Sequence, residues 1–312
     1  MKKKKIFIDG REGTTGLRIF ERLAARDDVE MLVLPEETRK DPAARREMLH
    51  QAYAAFLCLP DDAARESAAL AQGSDVILID TSTAHRTNPD WAYGFPELSP
   101  ESEAKIRTSK RIAVPGCHAS GFVALIHPLV KAGLLPADSA LTCFSVTGYS
   151  GGGKKMIAQY EAEERPETLD SPRQYALSQS HKHLPEMSVI TGLTTKPIFC
   201  PIVADYYSGM TVTVPVFASQ LKPGATPEDL REVYRSTYTG GLVSYDESIL
   251  ADGFAAANTY SMKDDMKVAV SGNDERILLV AHFDNLGKGA SGAAVQCLNL
   301  VLGREMACGL NV

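Results

Sequence analysis

The chain has 312 residues, of which 44% are apolar and 23% charged, and its 33 basic and 39 acidic side chains leave a formal net charge of −6. Such a composition is typical of a globular protein with one large or two medium domains. The acidic balance argues against sequence-independent nucleic-acid binding, because no basic field is available to neutralise phosphates. Six cysteines without a CxxC pair argue against a disulfide framework and a zinc site. We therefore expect no nucleic-acid partner, no metal and a reducing, cytoplasmic setting.

The N-terminal lysines are not expected to begin a secretion signal. The apolar run that follows them, residues 6–8, ends at Asp9 and is far too short for the apolar region of a signal peptide. No later stretch approaches the ~18 consecutive apolar residues that a membrane span needs. We expect the lysines to form a solvated prefix to the first strand, and we expect no membrane partner.

Short apolar runs and helical patterns alternate along the first third of the chain. Strands are predicted at 6–8, 29–34, 54–59, 76–79 and 111–114. An alanine-rich helix is predicted at 62–71. Another helix follows the first strand, with an inner face made of Leu17, Phe20, Leu23 and Ala24. This alternation predicts an α/β fold with a doubly wound parallel sheet.

From about residue 118 the pattern changes to longer strands. A helix is predicted around 121–133, and strands of an antiparallel sheet are predicted at 140–147, 209–218 and 276–282. The tail returns to a helical period over 290–302. We predict two domains, a dinucleotide-binding domain of residues 1–117 plus about 290–312 and a catalytic and dimerisation domain of residues 118–289.

The loop between the first strand and the first helix carries Gly10, Gly13 and Gly16 in a GxxGxxG spacing. Glycines permit a tight turn, and the free amides at the start of a helix bind a pyrophosphate. The loop therefore predicts a dinucleotide site, although a plain glycine turn between a strand and a helix remains an alternative. Nearby, Arg11, Arg39 or Lys40 could take a 2′-phosphate, which would favour NADP. Each of the three also suits an ordinary solvated charge.

A cysteine follows the strand predicted at 111–114. Cys117 comes directly after Pro115 and Gly116 and opens the helix predicted around 121–133. Amide dipoles at a helix start lower the pKa of a thiol, and the same amides can hold the oxygen of an acyl group on its sulfur. We predict that Cys117 is a nucleophile. The alternative is a small buried cysteine, which is what we expect of Cys58, Cys143, Cys200 and Cys297.

His181 and His183 form a third candidate motif. A spacing of two does not align side chains on a helix, and no carboxylate or cysteine lies nearby with ligand spacing, so a metal site is disfavoured. A general acid or base that serves the cysteine is the better functional interpretation. An exposed histidine-rich loop remains the alternative.

The last motif is the segment DNLGKGASG at 284–292, just before the C-terminal helix. A strand that ends in a glycine-rich loop and a helix start suits a phosphate or the carboxamide of a nicotinamide. Taken alone, the segment could also be a simple turn.

Together these motifs resemble the N-acetyl-gamma-glutamyl-phosphate reductase family of arginine biosynthesis, in its shorter form. Beyond Val114-Pro-Gly-Cys117 and residues 284–292, the most specific stretch, the resembling segments are DTSTAHR (80–86), YGFPEL (93–98), TGYSGGGK (147–154) and HKHLPE (181–186). Two departures are visible. His118 begins a His-Ala-Ser sequence where the long form has Tyr-Pro-Thr, and residues 206–209 lack the arginine expected before the glycine.

The resemblance implies the architecture of the semialdehyde dehydrogenases. An NADP-binding domain with a doubly wound parallel sheet is joined to an α+β catalytic domain with a mixed, largely antiparallel sheet, and the protein is a homo-oligomer, a dimer or a tetramer. It implies an oxidoreductase that reduces N-acetyl-glutamyl 5-phosphate to N-acetylglutamate 5-semialdehyde with NADPH and releases phosphate. The acyl group would pass through a thioester on Cys117. A histidine, His183 in preference to His181, would move the protons.

The resemblance also implies the remaining site residues. The expected cofactor contacts are Gly10, Arg11, Gly13, Thr14, Thr15, Gly16, Ser82, Asn285, Lys288 and Gly289. The expected substrate contacts are Arg86, Ser150, Gly151 and Asn258.

Two alternatives remain open at this point. The same chemistry could act on another acyl phosphate, such as aspartyl or aminoadipyl phosphate. A non-catalytic NADP-binding redox sensor would keep the glycine loop while its cysteine reported oxidation.

Overall fold

A computed structural model describes residues 3–312 of the protein. Met1 and Lys2, which begin the predicted lysine prefix, lie outside the described residues. In the described part the strands are β1 (Lys4–Asp9), β2 (Val29–Leu32), β3 (Ala54–Leu57), β4 (Ile77–Asp80), β5 (Ala92–Tyr93), β6 (Arg111–Ala113), β7 (Thr142–Gly148), β8 (Arg173–Gln174), β9 (Ile198–Ala204), β10 (Met210–Phe217), β11 (Val243–Tyr245), β12 (Met266–Gly272) and β13 (Arg276–Phe283).

The helices of the same residues are α1 (Thr14–Ala24), α2 (Pro42–Gln51), α3 (Asp61–Leu70), α4 (Pro100–Thr108), α5 (Cys117–Lys131), α6 (Gly153–Tyr160), α7 (Leu184–Thr191), α8 (Pro227–Thr237) and α9 (Gly292–Val301). None of the helices described here has both the length and the apolar character that crossing a membrane requires.

The chain divides into two compact units. The first unit takes the described chain up to Pro96, then Pro100–Pro115 and Ala290–Leu310. The second unit takes Glu97–Ser99, Gly116–Gly289 and Asn311–Val312. Cys117 therefore belongs to the second unit, together with the short segment around Glu97.

The first unit is built on a parallel sheet with the strand order β2-β1-β3-β4-β6-β5. The chain moves outward from β1 to β2 and then crosses back to β3, so the strand order reverses beside β1. In a doubly wound sheet, ligands bind outside the carboxyl ends of the strands at such a point. The predicted fold class of this part is confirmed.

Helix α9 returns to the first unit and forms part of its core. Its Val295 and Leu298 lie in the same buried cluster as Ile6, Ile8 and Ile19. Because α9 is buried around most of its circumference, its apolar residues are not confined to one stripe.

The predicted inner face of α1 is wrong in part. The buried residues are Gly16, Ile19 and Leu23, whereas Leu17 is 46% exposed and Ala24 lies at the surface. A Cβ atom at Gly16 would lie 2.6 Å from the carbonyl oxygen of Gly10. The buried face of the helix is therefore rotated from the predicted one towards Gly16, which approaches the preceding loop closely. The pattern of apolar residues does not show this contact of a glycine.

The second unit is built on a mixed sheet with the order β11-β12-β13-β10-β7-β9-β8. The central pairs are antiparallel, whereas β11 with β12 and β7 with β9 are parallel. The predicted mixed, largely antiparallel sheet is confirmed. Helix α5 packs closely on one face of it, since a Cβ atom at Gly121 would lie 2.5 Å from a methyl group of Val212.

The opposite face of this sheet, which we call the outer sheet face, exposes large apolar side chains. They are Phe144, Ile198, Phe217 and Leu278, each between 41% and 61% exposed. Alternate residues of the same strands, such as Val212 and Val214, are fully buried on the α5 side.

Candidate functional site

The three glycines of the loop after β1 have different surroundings. Gly10 has a φ of +87°, and a Cβ atom there would overlap the carbonyl oxygen of Cys58, so only glycine fits. Gly16 is similarly closed by the backbone of the loop. Gly13 is exposed, and a Cβ atom there would lie 3.5 Å from its nearest neighbour. Gly13 is therefore the position of the three where the protein itself leaves room for a ligand.

A cavity of about 530 Å³ lies beside this loop, at the carboxyl ends of β1 and β2. Arg11, Arg39 and Lys40, the three basic residues considered for a 2′-phosphate, all line it. Asp9 at the end of β1 is buried, and its carboxylate accepts a hydrogen bond from Arg45 at 3.1 Å. Asp9 is therefore already paired, whereas Lys40 lies at the surface. Glu12, Glu36 and Glu66 also line the cavity, and Glu36 lies 3.4 Å from Arg39. The cavity therefore lies where a doubly wound sheet binds a dinucleotide.

Ser82 and Arg86 are both engaged within the loop after β4. The Ser82 hydroxyl donates to the fully buried carboxylate of Asp80 at 2.8 Å. The Arg86 guanidinium donates to the carbonyl oxygens of Thr81 and Val114, both at 2.9 Å. These bonds order the loop, and the predicted contacts of Ser82 with the cofactor and of Arg86 with the substrate stay predictions.

In the second unit, Cys117 is the first residue of α5. Gly116 before it is extended and has no side-chain cap, and the first turn holds no acidic residue. The carboxylate of Glu186, on α7, accepts a hydrogen bond from the Gly116 amide at 2.8 Å and is only 2% exposed. A half-buried thiol thus stands at the positive end of a helix dipole, as the sequence predicted.

Three imidazoles cluster at the residue that follows Cys117. The ring centroid of His118 lies 5.3 Å from that of His183 and 5.9 Å from that of His181, and the last two are 4.8 Å apart. The structure thus brings the predicted histidine pair to the start of α5. Within residues 3–312 no group of histidine, cysteine and acidic side chains is arranged to hold a metal ion.

Burial gives the histidines different properties. It lowers the pKa of His118 to about 3, helped by the charges of His181 and Lys182, so His118 is neutral at physiological pH. Burial, followed by the charge of Lys182, also lowers the pKa of His181. His183 is 5% exposed and directly precedes α7.

The glycine-rich segment at 284–292 is folded around the carboxylate of Asp284. This fully buried side chain accepts hydrogen bonds from the amides of Leu286 and Gly287 and from the Ser208 hydroxyl. A π-helical turn, Gly287–Ser291, follows. Such turns often occur at functional sites.

Asn285 joins three segments of the second unit. Its amide nitrogen donates to the Ser150 hydroxyl at 3.0 Å, and its carbonyl oxygen accepts from the Gly209 amide at 2.9 Å. A Cβ atom at Gly151 would be 3.4 Å from the same amide nitrogen. Asn258 is exposed beside Gly209. Four of the predicted ligand contacts therefore lie in one cluster, and their roles stay predictions.

Lys288 forms a buried ion pair. Its ammonium group lies 2.7 Å and 2.8 Å from the two carboxylate oxygens of Glu97, and both side chains are 2% exposed. Glu97 also accepts a hydrogen bond from the Leu242 amide. The charge of Lys288 is therefore compensated inside the second unit, and its predicted cofactor contact stays a prediction.

Three residues of this site were missed as site residues. Glu186 stands in the HKHLPE segment and His118 was visible as a departure from the family, so each had a signal. Tyr175, which bonds to His118 at 2.7 Å, lies outside every motif found in the sequence and had none.

Gly289 lies directly against the cysteine, since a Cβ atom there would be 2.9 Å from the Cβ atom of Cys117. We predict that Gly289→Ala lowers the free energy of unfolding by about 1–3 kcal/mol, the usual cost of overpacking. It should also change the rate at which iodoacetamide alkylates Cys117. Gly240→Ala is the matched control, because a Cβ atom there meets open space. Equal stability and equal alkylation in the two variants would contradict the close approach.

Two family models match the chain. Residues 5–106 match one described as the NAD binding domain of semialdehyde dehydrogenase, and residues 117–285 match one described as its dimerisation domain. An aspartate semialdehyde dehydrogenase II from Vibrio cholerae is similar in structure, with a TM-score of 0.72 over 97% of this chain and 99% of that one. An aspartate semialdehyde dehydrogenase from Francisella tularensis gives 0.71 over 96% and 100%. At 18% and 12% identity these two likenesses concern the fold alone.

Curated relatives are much closer in sequence. An N-acetyl-gamma-glutamyl-phosphate reductase from Sinorhizobium medicae is 46% identical over 308 residues, which cover 96% of this chain and 99% of the relative. One from Brucella ovis is 44% identical over 310 residues, covering 97% and 100%. The resemblance inferred from the motifs is confirmed. With both halves matched and identity extending over nearly its whole length, the chain belongs to the N-acetyl-gamma-glutamyl-phosphate reductase family.

Proposed function

We propose that the protein reduces N-acetyl-glutamyl 5-phosphate to N-acetylglutamate 5-semialdehyde with NADPH and releases phosphate, through a thioester on Cys117. The observation that carries the proposal is the thiol at the start of α5, with three imidazoles clustered at the next residue, His118. The names of the curated relatives support the choice of substrate. None of the six cysteines, all within the described residues, forms a disulfide, which suits a reducing cytoplasm.

The residues of the second unit suit the acyl transfer. The Cys117 thiolate attacks the acyl carbon, the new carbon–sulfur bond forms, and the bond to the phosphate oxygen breaks as phosphate leaves. Amides of the first turn of α5 face the charge that grows on the acyl oxygen. A nicotinamide, when bound, would supply the hydride, which a thioester accepts where a carboxylate would not.

Proton movement falls to His183 in this proposal. His118 cannot serve as a base near neutral pH, because burial lowers its pKa to about 3. His183 is well buried, and its ring is tilted against those of both His118 and His181. We propose that it takes the thiol proton of Cys117 and donates it to the departing phosphate. After hydride transfer the thiohemiacetal collapses, its carbon–sulfur bond breaks, and the aldehyde leaves the Cys117 thiolate.

The reverse reaction tests the function directly. Wild-type protein should reduce NADP with N-acetylglutamate semialdehyde only when phosphate is present. Cys117→Ala should abolish the reaction and Cys308→Ala should not, while His183→Asn should lower kcat by ~10²–10⁴. Preference for aspartate semialdehyde would assign another acyl phosphate, and absence of phosphate-dependent reduction would favour a redox sensor. More than about a tenth of the wild-type rate in Cys117→Ala would exclude the covalent route.

We further propose that the cofactor is NADP rather than NAD. The support is the cavity beside the glycine loop, where Arg39 and Lys40 follow the end of β2 and Asp9 is neutralised by Arg45. A 2′-phosphate would pair with these exposed cations, whereas a ribose hydroxyl would gain little from them.

Replacing the two cations should therefore weaken the binding of NADPH but not that of NADH. Arg39→Ala with Lys40→Ala should raise the dissociation constant of NADPH about tenfold, which corresponds to about 1.4 kcal/mol, and leave that of NADH nearly unchanged. Arg46→Ala is the control, because Arg46 is an exposed cation of α2 outside the cavity. Fluorescence titration measures both constants. An equal loss for NADPH and NADH would contradict a 2′-phosphate contact.

We also propose a homo-oligomer, dimer or tetramer, assembled through the outer sheet face. Its exposed apolar side chains, among them Phe144 and Leu278, form the kind of surface that a partner covers. The part of the chain that carries them matches the family model described as a dimerisation domain.

Charges on that face should prevent assembly. Phe144→Glu with Leu278→Glu should reduce the mass measured by sedimentation to that of a single chain of 33.7 kDa. Phe254→Glu is the control, since Phe254 is 74% exposed but lies outside the outer sheet face. A wild-type mass of one chain, or an unchanged mass in the double variant, would refute this assembly.

A further inference from the structure

His118 connects a buried serine to a half-buried tyrosine. Its Nδ1 atom lies 2.7 Å from the Ser145 hydroxyl on β7, and its Nε2 atom lies 2.7 Å from the hydroxyl of Tyr175. Ser145 and His118 are 0% and 3% exposed, whereas Tyr175 is half-buried. The residue after the nucleophile therefore holds a tyrosine that neither the family resemblance nor the proposed mechanism uses.

The hydrogen-bond chain has a preferred direction. Ser145 has one proton to donate, and within residues 3–312 its hydroxyl has no protein partner other than His118. If the hydroxyl accepted a bond from Nδ1, its own proton would be buried without an acceptor, which is unfavourable. Ser145 therefore donates to Nδ1, and the single N–H of the neutral imidazole lies on Nε2. It donates to the oxygen of Tyr175.

Because Tyr175 accepts the hydrogen bond from His118, its own hydroxyl proton makes no hydrogen bond within the described part of the protein. The hydroxyl oxygen of Tyr175 accepts from His118, and no other protein group in the described part of the chain bonds to it. Burial, with the charge of the Cys117 thiolate as a smaller cause, raises the pKa of Tyr175, so the hydroxyl keeps its proton. The Tyr175 ring also lies edge-on to His181, at 5.9 Å between centroids. Tyr175 is thus a neutral hydroxyl whose proton is available to donate.

We propose that Tyr175 is a further residue of the reaction, whose hydroxyl donates a hydrogen bond to the acyl oxygen as negative charge grows on it, and that His118 is its positioning residue. No proton is transferred in this role. The bond strengthens as charge moves from sulfur to oxygen, and the donor adds to the amides at the start of α5. The proposal rests on the thioester route proposed above.

The test compares two reactions of the same thiol. The acyl phosphate develops negative charge on an oxygen when Cys117 attacks it, whereas alkylation by iodoacetamide creates no oxyanion. Rapid-quench mass spectrometry of the Cys117 peptide measures both rates, and the Cys308 peptide serves as an internal reference for alkylation. Tyr175→Phe should slow acylation about 10- to 100-fold and leave alkylation within about twofold of wild type.

Variants of His118 test the positioning role. His118→Leu should reproduce the selective loss of acylation, and His118→Gln should restore much of it, because the glutamine amide donates from nearly the place of Nε2. A purely structural role would slow both reactions of the thiol together. Tyr175→Phe removes one oxygen from a half-buried ring, so it keeps the test valid even where His118→Leu does not fold.

The outcomes separate this proposal from the proposed function. If wild-type protein forms no acyl-enzyme, the proposed function fails and this role fails with it. If wild type is acylated and Tyr175→Phe is acylated equally fast, only the role of Tyr175 is refuted. A parallel loss of acylation and alkylation in Tyr175→Phe also refutes it, because the hydroxyl would then act on the thiol or on the fold.

Discussion

The packing of α5 against its sheet is the constraint on which the chemistry of the second unit depends. Gly121 allows the helix to approach Val212 closely, and Glu186 bonds to the amide just before the first turn. Gly289 closes the side of Cys117 so tightly that a methyl group would not fit. These contacts fix the backbone at the start of α5, which carries the reactive cysteine.

Burial then gives different roles to residues of the same type, such as the histidines near Cys117. His118 is fully enclosed and stays neutral, so it can hold a neighbour but cannot take a proton near pH 7. His183 lies in the same cluster without being adjacent to the sulfur in sequence. The buried surroundings of Lys288 likewise determine its role, because Glu97 compensates its charge inside the unit. Residue type alone does not distinguish these roles.

Much of the fold was visible in the sequence because it depends on local signals. Runs of apolar residues gave the strands of the parallel sheet, and a cysteine between a strand and a helix gave the start of α5. Long-range contacts gave no such signal. The buried face of α1 differs from the predicted one and includes Gly16, which contacts its own loop. The ion pair of Lys288 with Glu97 joins residues that are 191 positions apart. Strands β9 and β12 were not predicted.

The buried pair of Glu97 and Lys288 also limits which substitutions the protein can accept during evolution. Removing either charge alone leaves the other enclosed without compensation, which typically costs about 3–5 kcal/mol, whereas an apolar pair of similar volume is often tolerated. Replacing the ionic pair by an apolar pair one residue at a time therefore passes through a destabilised variant that has only one of the two charges. The two codons are expected to change together or not at all, although nearly two hundred positions separate them.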